Sequence, residues 1–318
     1  MKKVLIVEGQ GVAWASYYMT NLSTRAGVGT GAIFGTLRSI KHLLDRFRPD
    51  ILFLCFDKTK SGRRRRLYPA YKKHREEKMT EEDKLNRVEF NRQMPELYEG
   101  LYALGVPVVI GDGVESDDCV AVLTHAYSKD HQVVIASNDK DFLQLINDNV
   151  NVYSTSKDMI IKSDNFKDCT AKMEKLEDGV ALESWRLYRS IVGDSSDNIP
   201  GIVGCGAKTG RALTDGITTI EELVDSVKSS DKSVCQKIVA QQDTIRLFWD
   251  IMDLQDIMSE METVNAVYNA VDSIEAQFDK TAFILLCKRW EFFSIISELN
   301  SWLRPFEHVY KTEAINGR

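Results

Sequence analysis

The stretch that decides the fold is VVIASNDKD, residues 133–141, in which a continuous apolar run ends and Asp139 and Asp141 follow within one turn. Similar unbroken apolar runs occur at 4–7, 51–56, 106–110 and 150–153. Strands that are buried on both faces have such runs, whereas half-buried strands alternate apolar and polar residues. We therefore predict a strand at each run.

Stretches with helical periodicity separate these runs. Apolar residues recur at helical spacing in 33–47 and in 95–104. Alternating strands and helices are typical of an α/β fold with a mostly parallel sheet flanked by helices. From about residue 180 the pattern is helical and is broken by Gly and Pro clusters, so we predict a mostly helical C-terminal part.

Acidic residues follow three of the predicted strands directly, and two further acidic groups space their members three residues apart. In an open parallel sheet, ligands bind outside the carboxyl ends of the strands. Any one group is also explained as a helix cap or a turn, but the repetition favours a shared site. The acids in question are Glu8, Asp57, Glu115, Asp117, Asp118, Asp139, Asp141, Asp194 and Asp197.

An all-carboxylate site without His or Cys favours a hard divalent ion, Mg²⁺ or Mn²⁺, over zinc. Two or more such ions about 4 Å apart can activate water and stabilise the leaving oxygen in phosphodiester hydrolysis. The six cysteines are far apart in the sequence and lack the spacing of a zinc site or a disulfide framework. We predict that they are buried, reduced thiols.

Segment 58–78 is strongly basic although the whole chain has a net charge of −6. Its lysines and arginines, Lys60 among them, far outnumber Glu76 and Glu77. The positive charges are interleaved with Tyr68 and Tyr71, which is typical of a channel that tracks a phosphate backbone and stacks bases. A solvated surface loop is the alternative.

The glycine-rich stretch GIVGCGAKT, residues 201–209, is close to a phosphate-binding loop of ATPases. Such a loop requires lysine directly after its second glycine, and here Ala207 intervenes before Lys208, so ATP hydrolysis is disfavoured. The glycines would instead let backbone N–H groups approach a nucleic-acid phosphate. A turn that links two helices is the alternative.

The chain resembles the 5′ nuclease domain of bacterial DNA polymerase I and the stand-alone flap endonucleases, including phage versions. The resemblance runs from about residue 3 to residue 213. The matching blocks are Val7-Glu8-Gly9, Thr30-Gly31-Ala32, Phe56-Asp57, Tyr71-Lys72-Lys73-His74-Arg75, Gly113 to Asp118, Asp139 to Leu145 and Gly193 to Thr209.

This resemblance implies that the nine acids, with Glu8 in place of the family's Asp, hold two or more Mg²⁺ ions, for which Mn²⁺ can substitute. It implies that Lys72 and Arg75 steady the scissile phosphate and that Tyr71 stacks on a base. The residues expected to bind DNA are Arg63, Arg64, Arg65, Arg66, Lys73, Gly204, Gly206, Lys208 and Thr209.

The resemblance also implies the domain organisation. Residues 1–180 would form a PIN-like 5′ nuclease domain with a basic helical arch at about 58–95. Residues 181–318 would form a helical DNA-binding region with a helix-hairpin-helix at about 193–213, where relatives carry a monovalent cation such as K⁺. About 105 residues follow Leu213, too few for a polymerase domain, so we expect a free-standing nuclease.

The expected substrates are DNA with a 5′ flap, a nick or an RNA primer, cleaved by exonuclease, flap endonuclease and RNase H activity in replication or repair. We expect a monomer that works with single-stranded-DNA-binding or replication proteins. No apolar run approaches the roughly 20 residues of a membrane span, and Glu8 comes too early for a signal peptide. A cytoplasmic location, in a bacterium or a phage-infected cell, follows as an expectation.

Two alternatives are weighed against the nuclease. Three positions depart from the family pattern: Glu8, Ala15 where an arginine is usual, and Glu76-Glu77 where a proline is usual. A catalytically weakened protein that binds DNA junctions is therefore one alternative, although the retained acids argue against it. A PIN-type ribonuclease is the other, and the 201–209 element argues against it.

Overall fold

The computed structural model describes residues 1–58, 62–274 and 276–311. Lys60 of the basic segment, the side chain of Glu76 and residues 312–318 of the predicted helical region lie outside what is described. The strands are β1 (Lys3–Glu8), β2 (Ile51–Cys55), β3 (Val108–Val109), β4 (Gln132–Ala136), β5 (Val150–Ser154) and β6 (Met159–Ile161).

Helices make up most of the described chain. The α-helices are α1 (Gly9–Met19), α2 (Gly31–Phe47), α3 (Gly62–Leu67), α4 (His74–Glu77), α5 (Glu81–Ala103), α6 (Ser116–Tyr127), α7 (Phe166–Glu174), α8 (Trp185–Val192), α9 (Ala207–Leu213), α10 (Ile220–Val227), α11 (Ser233–Ala240), α12 (Gln242–Ile251), α13 (Met261–Asp272), α14 (Lys280–Arg289), α15 (Phe293–Ser297) and α16 (Leu299–Lys311). Short 3₁₀ helices span Lys140–Leu145, Ser195–Asp197 and Ile257–Ser259.

The chain divides into two compact units. Unit 1 comprises Met1–Lys60, Met79–Asn138 and Glu260–Arg318, and unit 2 comprises Ser61–Lys78 and Asp139–Ser259. The sequence predicts a domain boundary at residue 180. The two compact units divide the chain at other points, so this boundary stays a prediction. In particular, the described C-terminal helices belong to unit 1 and do not continue the helical part of unit 2.

Unit 1 is built on a parallel sheet with the strand order β3-β2-β1-β4. The apolar residues of β1 and β2 are almost completely buried, as expected for strands covered on both faces. The predicted α/β fold and its parallel sheet are confirmed. The pairing of Glu8 with Cys55 places the carboxyl ends of β1 and β2 at the same edge.

Helix α5 begins 14 residues before the predicted start at Pro95. Thr80 and Asp83 form a capping box at its first turn, and the helix then runs through Pro95. Pro95 is exposed, so the backbone carbonyl that loses its partner there can bond to water.

Unit 2 is mainly helical, as predicted for the region beyond residue 180. Its strands β5 and β6 form an antiparallel hairpin, and the sequence interpretation missed β6 because the strand is only three residues long. Helices α8 and α9 flank the glycine-rich stretch, as in a helix-hairpin-helix, but α8 ends before residue 193. The bounds of about 193–213 therefore stay a prediction. Among the described residues, no helix is long and apolar enough to cross a membrane.

Candidate metal centre and nucleic-acid interface

Glu8, the last residue of β1, is also the N-cap of α1. Its Oε1 accepts a 2.6 Å hydrogen bond from the backbone N–H of Gly11. A Cβ at position 11 would lie 2.2 Å from Glu8 Oε2. Gly11 therefore provides the space that the glutamate side chain occupies at this strand end.

Asp57 lies two residues beyond β2 and is exposed. Its Oδ1 accepts a 2.7 Å hydrogen bond from the N–H of Ser116, the first residue of α6. Asp118 Oδ2 accepts from the N–H of Glu115 at 3.1 Å, and both of these side chains are buried. The predicted acids of unit 1 thus gather around the carboxyl edge of the sheet and the N-terminus of α6, where the helix dipole favours negative charge.

Two thiols lie beside these carboxylates, contrary to the prediction of a site without cysteine. Burial, together with the negative charges of Asp118, Asp57 and Asp117, raises the pKa of Cys119 to about 12. Burial likewise raises the pKa of Cys55, with contributions from Cys119 and Glu8. Both thiols therefore stay protonated and are poor metal ligands. All six cysteines are buried and reduced, as predicted.

In unit 2 the loop after α8 carries two of the predicted acids. Asp194 and Ile199 exchange backbone hydrogen bonds of 2.8 Å, which close the loop. Gly193 has a φ of 84°, and a Cβ there would lie 2.4 Å from the carbonyl oxygen of Ile199. Only glycine fits this position without strain, so the sequence around Gly193 fixes where Asp194 and Asp197 lie.

Asp197 is surrounded by the residues that the resemblance assigns to the phosphate. Arg75 donates to its Oδ1 at 2.8 Å, and Lys72 Nζ lies 4.0 Å from the same oxygen. The Tyr71 hydroxyl donates to Oδ2 at 3.1 Å. Burial raises the pKa of Asp197, although the charge of Lys72 opposes this. The three candidate residues and Asp197 thus form one cluster.

Arg189 of α8 is a site residue that the sequence interpretation missed. Its Nη2 donates to Asp141 Oδ1 at 3.1 Å and to Asp194 Oδ2 at 2.5 Å. The available sign was a helical stretch, WRLYRSIV, in which Arg186 and Arg189 stand among mostly apolar residues, because buried arginines are almost always paired. Nothing local in the sequence names its partners.

Asp139 lies at an exposed position after β4, and its Oδ1 accepts a 2.8 Å hydrogen bond from the backbone N–H of Asp141. Desolvation and the nearby charge of Asp141 raise the pKa of Asp139 to about 7. Carboxylates that lie close together repel one another, which raises the pKa of at least one of them. A raised pKa of this kind is common in sites that bind a cation.

The basic segment divides into structural and exposed members. Arg64 is buried, and its Nε donates to the carbonyl oxygen of Ile251 at the C-terminus of α12, while Arg63 donates to the carbonyl of Asp250. These two arginines cap a helix end. Arg66 is exposed and Arg65 is half-buried.

Tyr71 and Lys73 differ in how far DNA could reach them. The ring of Tyr71 is 2% exposed and packs with Ile199, Phe248 and neighbouring apolar residues. Its base-stacking role stays a prediction, and stacking would require the ring to leave this contact. Lys73 is exposed and pairs with Glu77 at 3.4 Å.

The glycine-rich hairpin leaves its backbone accessible. A Cβ added to Gly204 or Gly206 would meet no atom within 4 Å, so both face open space. Gly204 has a φ of 95°, which favours glycine. Lys208 is exposed and Thr209 is half-buried in the first turn of α9. Backbone N–H groups and a lysine exposed in this way can contact the phosphate groups of a nucleic acid.

Within the described parts of the chain, no three His, Cys, Asp or Glu side chains are grouped so that they could hold a metal ion. Backbone N–H groups and cationic side chains engage the carboxylates instead. The donor set still fits a hard divalent ion, because its members are carboxylate oxygens crowded with like charge. The assignment of individual ligands stays a prediction.

Comparisons with known proteins agree with this chemistry. Residues 3–171 match the family model described as 5′-3′ exonuclease, N-terminal resolvase-like domain, and residues 180–274 match 5′-3′ exonuclease, C-terminal SAM fold. The 5′-3′ exonuclease of Aquifex aeolicus is 32% identical over 70% of this chain and 73% of that protein. DNA polymerase I of Caldicellulosiruptor bescii is 29% identical over 76% of this chain but only 27% of that protein.

A solved structure shares the fold. The bacteriophage T5 5′-exonuclease with bound zinc aligns over 85% of this chain and 100% of that chain, with a TM-score of 0.67 and 22% identity. Together with the two family models, which cover most of the chain, these matches confirm the resemblance inferred from the motifs. The chain belongs to the 5′-3′ exonuclease family of phosphodiester-hydrolysing nucleases.

Proposed function

We propose that this nuclease is a divalent-metal-dependent enzyme that cuts branched or nicked DNA near a 5′ end and leaves a 5′ phosphate. The observation that carries the proposal is the gathering of carboxylates at the carboxyl edge of β1 and β2 and, separately, around Asp197 in unit 2. Two solved structures of the bacteriophage T5 enzyme support it, one with bound zinc and one in a complex with DNA and metal ions.

Mg²⁺ is the proposed ion, with Mn²⁺ as a substitute, and Glu8, Asp57, Glu115, Asp117 and Asp118 are its proposed ligands in unit 1. Asp139, Asp141, Asp194 and Asp197 are those in unit 2. When bound, such ions activate water and stabilise the leaving oxygen. The protein's own contribution is to orient these carboxylates, as the Asp57–Ser116 and Tyr71–Asp197 hydrogen bonds do by holding one oxygen of each side chain.

Positive side chains and open backbone would position the DNA. We propose that Lys72 and Arg75, held beside Asp197, contact the scissile phosphate. We propose that the backbone at Gly204 and Gly206, together with Lys208 and Thr209, contacts duplex phosphates, with K⁺ at this hairpin as the resemblance implies. Phosphate contacts of this kind fix register without reading sequence.

We further propose that RNA primers, nicks and flaps are substrates and that the protein acts in replication or repair as a monomer in the cytoplasm. Single-stranded-DNA-binding or replication proteins are its proposed partners.

One observation favours the second candidate function, a junction-binding protein of low activity. Glu8 is bonded to the start of α1, and this contact competes with coordination of an ion.

A flap-cleavage assay with a matched control tests the proposal. The full chain is incubated with a labelled 5′-flap duplex in Mg²⁺ and in EDTA, beside Asp57→Asn and Asp112→Asn. Asp112 is an exposed acid of unit 1 that pairs with Lys58. Cleavage by the wild type and by Asp112→Asn only in Mg²⁺, and its loss in Asp57→Asn, is expected. Tight binding without cleavage would favour the junction-binding protein.

A further inference from the structure

Arg189 lies between acids from two separate segments of unit 2. Its side chain is 8% exposed, and the acids are Asp141 from the turn after β4 and Asp194 from the loop after α8. Its Nε also donates to Asp141 Oδ1, at 3.3 Å, and its Nη1 donates to the carbonyl of Gly193 at 3.4 Å. The guanidinium is thus held on three sides.

The oxygens that Arg189 binds are ones that a metal ion would need. Asp194 Oδ2 accepts from Arg189, and its Oδ1 accepts from the N–H of Ser196 at 2.7 Å and the hydroxyl of Ser196 at 2.6 Å. Asp141 Oδ1 accepts from Arg189. Both oxygens of Asp194 therefore already have protein donors.

The charge on Arg189 is permanent. The guanidinium of arginine stays protonated in proteins, and in Arg189 its Nη2 lies 3.1 Å from Asp141 Oδ1 and 2.5 Å from Asp194 Oδ2. Nε and Nη2 share one oxygen of Asp141, and Nη2 also bonds to one oxygen of Asp194; such charge-assisted hydrogen bonds are stronger than those between neutral groups.

We infer that Arg189 is a positioning residue that acts as a fixed cation within the Asp139, Asp141, Asp194 and Asp197 cluster. It holds Asp141 and Asp194 in place and supplies positive charge that a divalent ion would otherwise supply. The cluster consequently binds divalent ions more weakly than its four carboxylates alone would. The inference rests on the proposed function, because it concerns the same carboxylates.

The test compares Arg189→Gln and Arg189→Lys with the wild-type full chain. Binding of Mn²⁺ is followed by the electron paramagnetic resonance signal of the free ion, and the melting temperature is measured in EDTA and in Mg²⁺. We expect Arg189→Gln to bind Mn²⁺ about tenfold more tightly, since a unit charge is removed within a few ångströms of the ligands. Its melting temperature should fall in EDTA and recover more than the wild type's in Mg²⁺.

Arg186→Gln is the matched control. Arg186 is buried on the same helix, but its acidic partners are Asp253, at 3.0 Å, and Asp256, at 3.7 Å, and neither is among the proposed ligands. Arg186→Gln should lower the melting temperature in EDTA without changing the affinity for Mn²⁺. Arg189→Lys keeps the charge and should keep an affinity close to that of the wild type.

Unchanged or weaker Mn²⁺ binding by Arg189→Gln would overturn the inference while leaving the proposed function intact. Failure of the wild type to bind Mn²⁺ would contradict the proposed function itself. If Arg189→Gln is unfolded in EDTA, Mn²⁺ must restore its fold at concentrations below those that half-saturate the wild type. Failure to refold would also count against the inference.

Discussion

The Tyr71 hydroxyl donates a 3.1 Å hydrogen bond to Asp197 Oδ2 from a ring that is only 2% exposed. Tyr71 therefore anchors the basic segment to a proposed metal ligand within unit 2. The ring of Tyr71 packs with Phe248 in the core, and its hydroxyl bonds to Asp197.

The first prediction separates this anchoring role from base stacking. Tyr71→Ala should lower the free energy of unfolding by about 3–5 kcal/mol, as for other buried aromatic side chains. Tyr71→Phe should cost only about 1–3 kcal/mol, because it loses one hydrogen bond to a charged group. Urea denaturation measures both. A weakened affinity for DNA in Tyr71→Ala, with unchanged stability, would show that the ring stacks on a base.

The second prediction concerns the space that Gly11 leaves for Glu8. Gly11→Ala forces the Glu8 carboxylate to move, because the new Cβ would lie 2.2 Å from its Oε2. We expect kcat for flap cleavage to fall roughly tenfold to a hundredfold, as small misplacements at an active site do. The Glu8→Asp background is the control, since the shorter side chain leaves room. An equal fall in kcat in the wild-type and Glu8→Asp backgrounds would show that Gly11→Ala does not act through the Glu8 side chain.

Much of the fold was predictable because its determinants are local. Unbroken apolar runs predicted the strands, and the acids that follow three of those runs, Glu8, Asp57 and the pair Asp139 and Asp141, became candidate ligands, since a parallel sheet carries the carboxyl ends of its strands at one edge. The roles of Arg189, Cys55 and Cys119 were not predictable. Each depends on which residues tertiary packing places nearby, and Arg64 in the RRRR run proved buried while Arg66 did not.

The third prediction compares Arg64, which is buried, with Arg66, which is exposed. Arg64→Ala should destabilise the protein by about 1–3 kcal/mol, because the carbonyl oxygen of Ile251 loses a buried donor. Arg66→Ala, at an exposed position, should cost less than about 1 kcal/mol of stability but weaken DNA binding and lower the salt dependence by about one phosphate contact. Thermal melts and binding titrations at several salt concentrations decide this. Equal stability of the two variants would contradict the capping role of Arg64.

The fourth prediction follows from the raised pKa of Asp139, about 7. Because the folded-state pKa lies above the ordinary value of 3.8, this group favours the folded state as pH falls from about 7 towards 4 and disfavours it above pH 7. A divalent ion needs the ionised carboxylate, so apparent Mg²⁺ affinity should weaken as pH falls below 7.

Asp139→Asn is the control for both effects. In EDTA, the free energy of unfolding of Asp139→Asn minus that of the wild type should be larger at pH 8 than at pH 5. The variant is then the relatively more stable protein at pH 8, because it avoids the charged carboxylate. Metal titrations at the same two values should show less pH dependence in the variant. A difference that does not vary with pH would mean that Asp139 ionises normally.

Single-turnover cleavage of a 5′ flap at saturating enzyme, measured across a range of Mg²⁺ concentrations, decides whether the protein cleaves DNA with divalent ions bound to its carboxylates. We expect no product in EDTA and a rate that rises more steeply than the first power of Mg²⁺ concentration, since two or more ions take part. Cleavage that persists in EDTA would refute this mechanism, as would a fully bound flap that is not cut at any Mg²⁺ concentration.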